Sequence, residues 1–442
     1  MTVATLSALQ QRVLTTEVAH HIGERVRVQG WLHTLRRLGG ITFLVVRDGY
    51  GLLQVVSQSP EAFAALEGLQ VETVIAVEGL VAAEPQAPGG VELREPGVEV
   101  ITPVTEPPPF PLNKPTLKVG LPVQLDHGVL AARNPRQRSL FRLSAGVMRA
   151  FRDTLTAEGF TEVQTPKFVA SATESGANVF KLDYFGRPAY LAQSPQLYKQ
   201  VLTGVFERVF EVGPVFRAEP HDTTRHLSEY VSLDVEMAFI VDHRTVMALL
   251  TQVIRGILAA LAERHAEDLA RWEVVMPTAP EVFPSLFFPE AQELIYQRHG
   301  VDVRGEPDLS PQDERWLGEW AREAHGSDFL FVTGYPMSKR PFYTHPNPAD
   351  ARYSNSFDLL FRGTELVTGG QRLHRYEDYL TALERGGLPR EPFEWYLEAF
   401  RHGMPPHGGF AIGLERLLTQ LTGAGNVRLA TLFPRDLNRL TP

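Results

Sequence analysis

The chain has 442 residues, 43% hydrophobic and 21% charged, which suits two or three globular domains, and no apolar run approaches the ~20 residues that span a bilayer. It has no cysteine, which excludes disulfides and thiolate metal sites, and its 14 histidines show no H-E-x-x-H spacing. The net charge of −9 is uneven: residues 1–140 hold 12 Lys/Arg against 13 Asp/Glu and the remainder 31 against 39, so a basic face is expected only towards the front.

Met1 to Leu6 lacks the basic stretch that opens a secretory signal, so a cytoplasmic protein without membrane contact is expected. Residues 1–104 read as a first domain. Arg25 to His33 alternates in polarity, and Phe43 to Asp48, Leu52 to Val56 and Val74 to Gly79 follow as further strands. Five short strands with Gly-rich turns, interrupted by a helical stretch from Pro60 to Leu69, suggest a small β-barrel. Thr105 to Pro111 is proline-rich and cannot join a central strand, so 105–135 is expected to be an irregular linker. Residues 136–442 read as the second domain, opening with helical periodicity from Leu140 to Glu158.

Ser171 to Ala177, around Glu174, has the Gly and Ser content of a mobile lid. In Tyr190 to Gln200, Gln196 and Lys199 share a helical face, with Ser194 expected as N-cap and Pro195 as first helical residue. Val209 to Phe216 and Val231 to Phe239 predict a hairpin, the second run setting Ser232, Asp234 and Glu236 against an apolar face. Its loop carries Arg217, Glu219, Arg225, His226, Leu227 and Tyr230. Arginines suit phosphate because a planar fork pairs with it bidentately. Residues 241–335 contain amphipathic helical stretches, Thr245 to Asp268 and Pro289 to His299, and look like an insertion. Tyr353 to Arg372 holds Asp358 and Glu365, two acids seven residues apart that by themselves read as surface charges. Gly408 to Arg416 is rich in glycine.

The hairpin, with Phe216-Arg217-Ala218-Glu219 and His221 to His226, resembles motif 2 of the class II aminoacyl-tRNA synthetases in their aspartate/asparagine branch. Gly159 to Pro166 resembles motif 1, and Gly408 to Arg416 motif 3, in the family's order. The resemblance implies an α+β fold, with an N-terminal OB-fold anticodon-binding barrel and a catalytic domain built on an antiparallel sheet flanked by helices. It implies two-step attachment of aspartate to tRNA through aspartyl-adenylate, by a homodimer. Aspartate is expected on Glu174, Gln196, Lys199, Arg217, Asp234, Thr368 and Arg372. ATP is expected on Arg217, Glu219, Arg225, His226, Leu227, Tyr230, Glu365, Gly413, Leu414, Glu415 and Arg416. Mg²⁺ is expected on Glu365, Asp358 and Thr368.

The segments around Arg340-Pro341-Phe342-Tyr343 and His221 to His226 resemble aspartyl enzymes of archaeal type. In that branch His33 and Pro88 occupy positions that tune reading of the third anticodon base, and this pair resembles forms that charge tRNA(Asn) as well as tRNA(Asp). Such a form supplies Asp-tRNA(Asn) to a separate amidotransferase. A form restricted to tRNA(Asp), an asparaginyl enzyme and an inactive tRNA-binding paralogue remain as alternatives. His21-Ile22-Gly23 and Met337-Ser338-Lys339 echo class I signatures, but no nucleotide-binding βαβ pattern surrounds them.

Overall fold

The computed structural model describes residues 10–170 and 179–441. The chain divides into two compact units, one up to Gly120 and one from Leu121 onward.

The first unit is a closed barrel of β1 (Arg25–Leu38), β2 (Ile41–Arg47), β3 (Leu52–Ser57), β4 (Val74–Ala83) and β5 (Val91–Thr102), ordered β1-β2-β3-β5-β4. Alternation does the sorting. Val26, Val28 and Leu32 point inward from β1 and meet Leu44, Val46, Leu53, Val55, Ile75, Val77 and Leu93 in one core. A 3₁₀ turn, Pro60–Leu66, closes one end with Phe63 and Leu66 buried. Arg47 and Glu72 form a buried ion pair at 2.7 Å. The register of β1 on β2 shifts between Leu32 and Thr34, so His33 sits on a bulge, and it is 7% exposed. Pro88 is exposed and begins the Pro88–Gly90 turn, where Gly89 and Gly90 both take φ near +73°.

The second unit begins with short helices, Leu121–Asp126 and Gly128–Ala131, where an irregular linker was expected. Pro122 falls in the first helical turn, where a missing N–H costs nothing. Helix α1 (Pro135–Ala157) then starts ahead of the expected Leu140, because Asn134 caps the N–H groups of Arg136 and Gln137.

An eight-stranded sheet follows: β6 (Thr161–Glu162), β10 (Arg208–Phe216), β11 (Glu229–Ala238), β12 (Ser285–Phe287), β13 (Phe329–Thr333), β14 (Ser356–Phe361), β15 (Thr364–Gln371) and β16 (His407–Gly413). Its order is β12-β13-β14-β15-β16-β11-β10-β6. The central strands are antiparallel as expected, but both edges, β12 on β13 and β6 on β10, pair in parallel, so the sheet is mixed. A small sheet of β7 (Phe168–Val169), β8 (Lys181–Tyr184) and β9 (Arg187–Leu191) precedes helix α2 (Gln196–Phe206).

One sheet face packs on α1 and on α3 (His243–Arg264), through Leu143, Val147, Phe151, Leu250, Ile254 and Ile257. By length and composition α3 could cross a membrane, but half of its most apolar window is buried in this core. The 241–335 segment therefore does more than insert helices: α3 builds the main core and β12 and β13 extend the sheet. Only α4 (Phe288–His299) and α5 (Pro311–His325) form a satellite core, with Leu330 and Leu360. Helices α6 (Tyr376–Arg385) and α7 (Glu394–Arg401) pack beside α2, and α8 (Leu414–Thr422) continues from β16.

Candidate active site

Register assigns each side chain its face. Asp358, Thr368, Ala411, Asp234 and Glu211 are direct partners across β14, β15, β16, β11 and β10, so they share one face. In the next row stand Ser356, Gly370, Gly409, Glu236 and Val209. Leu359, Val367, Ile412, Leu233 and Val212 lie on the other face, in the core. The polar face floors a cavity of about 360 Å³. Glycine is required at 409, since a Cβ there would lie 2.0 Å from the Val235 carbonyl oxygen and 2.2 Å from a Glu236 carboxylate oxygen. At Gly413 a Cβ would meet only Arg416, at 3.7 Å, so the chain itself leaves that stretch of the cavity open.

Four charges are buried together at one end. Lys199 Nζ donates to Asp234 Oδ1 at 3.1 Å and to the Phe410 carbonyl at 3.1 Å, and lies 3.4 Å from Glu236 Oε2. Arg372 Nε donates to Glu236 Oε1 at 3.0 Å and Nη2 to the Gly409 carbonyl at 3.1 Å. Burial pushes the Glu236 carboxyl up, but the adjacent Arg372 and Lys199 charges outweigh it and hold the group below its ordinary value. The quartet is neutral and fully desolvated, so each member depends on the others. Arg372 lines the cavity, and its Nη1 has no acceptor among the described residues. Gln196 also lines it, and its buried Nε2 has no partner there. Two donors without acceptors suit an acceptor-only carboxylate.

Behind this corner Gln200, Tyr379, Tyr396 and His407 form a buried polar cluster. Tyr396 OH donates to Gln200 Oε1 at 2.7 Å, and Tyr379 OH to the Leu373 carbonyl at 2.8 Å. Burial pushes His407 down to about 4, so it stays neutral beside Glu236.

The other end of the cavity is walled by the β10–β11 loop and α8. Arg217, Glu219, Arg225, His226, Leu227, Tyr230, Glu415 and Arg416 all line it. The Arg217 guanidinium sits 5.8 Å from the Tyr230 ring centroid. His226 Nδ1 is 2.6 Å from the Thr223 hydroxyl. Burial lowers the His226 pKa against an opposing pull from Glu219. Glu415 accepts the Val231 N–H at both carboxylate oxygens, 3.1 and 3.2 Å, tying α8 to β11, and burial pushes it up to about 7.

Between the two ends lie carboxylates. A register shift between Leu359 and Leu360 sets Glu365 opposite Leu360, turning it to the face of Asp358 and Thr368. Burial in the cleft, and then the Asp358 charge, push Glu365 up to about 7, although Arg416 opposes them. Asp358 accepts from Arg340 Nη2 at 3.1 Å, while its buried Oδ1 has no hydrogen-bond partner among the described residues. An orphaned carboxylate oxygen beside a carboxyl short of counter-charge fits a hard divalent cation. No group of three metal-ligating side chains converges among the described residues. A Mg²⁺ held by two carboxylates needs only phosphate and water oxygens to complete it.

Of the residues predicted from sequence, Glu174 lies outside the described residues. Lys199, Asp234, Asp358 and Leu414 stand behind the cavity wall, and the rest of the aspartate, nucleotide and metal set line it. Helix α2 starts at Gln196 with Pro195 as cap, not Ser194, because the Pro195 carbonyl already accepts the Lys199 N–H at 2.9 Å. Sequence reasoning gave no role to Arg340, which lines the cavity 4.2 Å from the Tyr335 ring centroid. It also missed Glu314 on α5, which accepts the Glu365 N–H at 3.0 Å. Arg340 belongs to a segment whose resemblance marked the branch but gave the side chain no role, and Glu314 sits on a helix far away in sequence that no local pattern marks.

Arginines at one end, a caged guanidinium at the other, and carboxylates between them suit joining a small acid to a nucleotide. On an antiparallel-centred sheet, in a chain that also carries a five-stranded barrel, that arrangement defines a class II aminoacyl-tRNA synthetase. The chain belongs to this family: residues 121–437 match "tRNA synthetases class II (D, K and N)" and residues 26–101 match "OB-fold nucleic acid binding domain". It is 44% identical over 437 residues to the "Aspartate--tRNA(Asp/Asn) ligase" of Deinococcus radiodurans, covering 98% of this chain and 99% of that protein. It is 45% identical over 431 residues to the protein of the same name from Thermus thermophilus, covering 98% and 100%. Among solved structures it resembles asparaginyl-tRNA synthetase from Pyrococcus horikoshii complexed with asparaginyl-adenylate. The TM-score is 0.90, with 33% identity, covering 98% of this chain and 99% of that one.

Proposed function

We propose that the chain joins L-aspartate to tRNA(Asp) and tRNA(Asn) at the expense of ATP. The observation that carries aspartate is Arg372, a buried guanidinium that is held by Glu236 and lines the cavity. A carboxylate completes it, whereas an amide brings its own donors against Arg372 and Gln196. The names of the relatives at 44% and 45% identity support the double tRNA specificity.

The aspartate α-carboxylate attacks the α-phosphorus of ATP in line and pyrophosphate leaves. The terminal ribose hydroxyl of tRNA then attacks the mixed anhydride, and AMP leaves. Neither step needs a protein nucleophile, so the work is positioning and charge neutralisation. Arg217 holds the α-phosphate, with Glu219 on the adenine amino group, and Arg225 and His226 meet the outer phosphates. Tyr230 and Arg416 enclose the base, next to the open stretch at Gly413. Asp234 orders Lys199 and, through Ser232, the cavity wall; Glu174 would close over the amino acid. Mg²⁺ would sit on Glu365, Asp358 and Thr368, where it would neutralise the leaving pyrophosphate.

The barrel would read the anticodon, with buried His33 shaping β1 at its bulge and Pro88 on an exposed turn. A homodimer is supported by the edge strand β6, which pairs only with β10 among the described strands. A cytoplasmic location follows from these substrates. Asp-tRNA(Asn) would require a separate amidotransferase to become Asn-tRNA(Asn). The test is aminoacylation of purified tRNA(Asp) and tRNA(Asn) transcripts with labelled aspartate, side by side. Comparable charging of both is expected. Charging of tRNA(Asp) alone would remove the double specificity, and charging only with asparagine would reverse the amino acid.

A further inference from the structure

The β10–β11 loop carries five cavity-lining residues, Arg217, Glu219, Arg225, His226 and Leu227, yet residues 217–228 contain no helix or strand. A loop with so many ligand groups needs an external frame. The last segment of the chain supplies one. Arg428 is 6% exposed and donates in three directions: Nη1 to the Thr223 carbonyl at 2.8 Å, Nη2 to Asp222 Oδ1 at 2.6 Å, and Nε to the Asp436 carboxylate. Asn438 Nδ2 holds the second Asp222 oxygen at 2.8 Å. Backbone bonds flank the fork, Val427 N–H to the Thr224 carbonyl at 3.0 Å and Ser228 N–H to the Arg435 carbonyl at 2.8 Å. The same Thr223 places its hydroxyl 2.6 Å from His226 Nδ1 and accepts the Arg225 N–H at 3.2 Å. One residue therefore stands between Arg428 and both outer-phosphate groups.

We propose that Arg428 is a positioning residue for the nucleotide loop, and that residues 426–439 set the affinity for ATP while leaving aspartate recognition alone. The inference rests on the ATP reading given above. Two effects combine in it. The fork fixes the successive loop residues Asp222 and Thr223, and its charge, shared between the Asp222 and Asp436 carboxylates, offsets negative charge on the loop that meets the triphosphate. The aspartate corner, built on α2, β11 and β15, shares no hydrogen bond or ion pair with Arg428 among the described residues.

The test uses the full chain with Arg428→Ala and, separately, Asn438→Ala. ATP–pyrophosphate exchange gives KM for ATP and for aspartate, and a non-hydrolysable ATP analogue is titrated directly while melting is followed. Arg428→Ala is expected to raise the ATP KM and the analogue Kd by roughly tenfold, within the hundredfold that about 1 Å of misplacement can cost, with aspartate KM essentially unchanged. Asn438→Ala, an exposed change that the fold should tolerate, is expected to shift the same two constants about two- to threefold, as befits one hydrogen bond. It decides the matter if Arg428→Ala does not fold. A lower Tm with both KM values unchanged, or equal rises for both substrates, overturns the proposal. If the wild-type chain shows no aspartate-dependent exchange, the functional reading fails instead, and the analogue titration alone judges the loop.

Discussion

Glu415 is a carboxyl placed where it is costly to ionise. It is 4% exposed, accepts the Val231 N–H and its own backbone N–H, and is pushed by burial from an ordinary 4.5 up to about 7 despite both. Between those two values the folded chain holds a proton that the unfolded chain has lost. Its contribution to stability therefore falls as pH rises from about 4.5 to about 7 and is flat above. Glu415→Gln keeps an acceptor for Val231 and removes the charge. The variant is expected to gain on wild type as pH rises from 5 to 8, by at most about 3 kcal/mol at about 1.4 kcal/mol per pKa unit. Melting curves of both proteins across that range check it, and parallel curves would mean that Glu415 is already relieved by a partner in solution. Glu365 shows the same tension: burial again comes first, the Asp358 and Glu314 charges add to it, and the cation proposed there would relieve it.

At the scale of elements, helix α2 and the sheet are joined by charge as much as by packing. Lys199 reaches down from α2 between Asp234 and Glu236 of β11. Lys199→Met preserves the bulk but leaves two buried carboxylates with one cation. Breaking a buried pair from one side costs about 3–5 kcal/mol, so a clear fall in Tm by calorimetry is expected, with a raised aspartate KM. A variant that melts like wild type would show that these carboxylates take up protons instead. The elements themselves were largely legible. Strict alternation in Val231 to Phe239 placed Ser232, Asp234 and Glu236 on one face, and β10 and β11 begin and end within about two residues of expectation. Glu365 shows the limit. Counting by twos sets it on the face opposite Thr368, and only the shift beside Leu359 brings the two together. The role of Glu365 came from family resemblance, since period alone would have misplaced it. Depth was illegible too: nothing local to Lys199 says that the sheet will bury it completely, because its neighbours come from β11 and β16, distant in sequence.

For the molecule as a whole, two separate cores imply two separable functions. Every residue assigned to adenylation lies in the unit from Leu121 onward, while His33 and Pro88 lie in the barrel. Changes at these two positions should therefore alter the choice of tRNA and leave adenylate formation intact. His33→Trp adds volume at a position only 7% exposed, on the β1 bulge, so it must displace the strand surface instead of merely relabelling it. Pro88→Lys adds a cation on an exposed turn, where it meets solvent and any phosphate that approaches. The double variant is expected to keep wild-type ATP–pyrophosphate exchange and tRNA(Asp) charging while tRNA(Asn) charging falls about tenfold, since one base-reading contact is worth about 1–3 kcal/mol. Side-by-side charging of the two transcripts at fixed salt measures it. Equal losses on both tRNAs would mean that the bulge supports the barrel as a whole. No change on either would place anticodon discrimination elsewhere on the barrel.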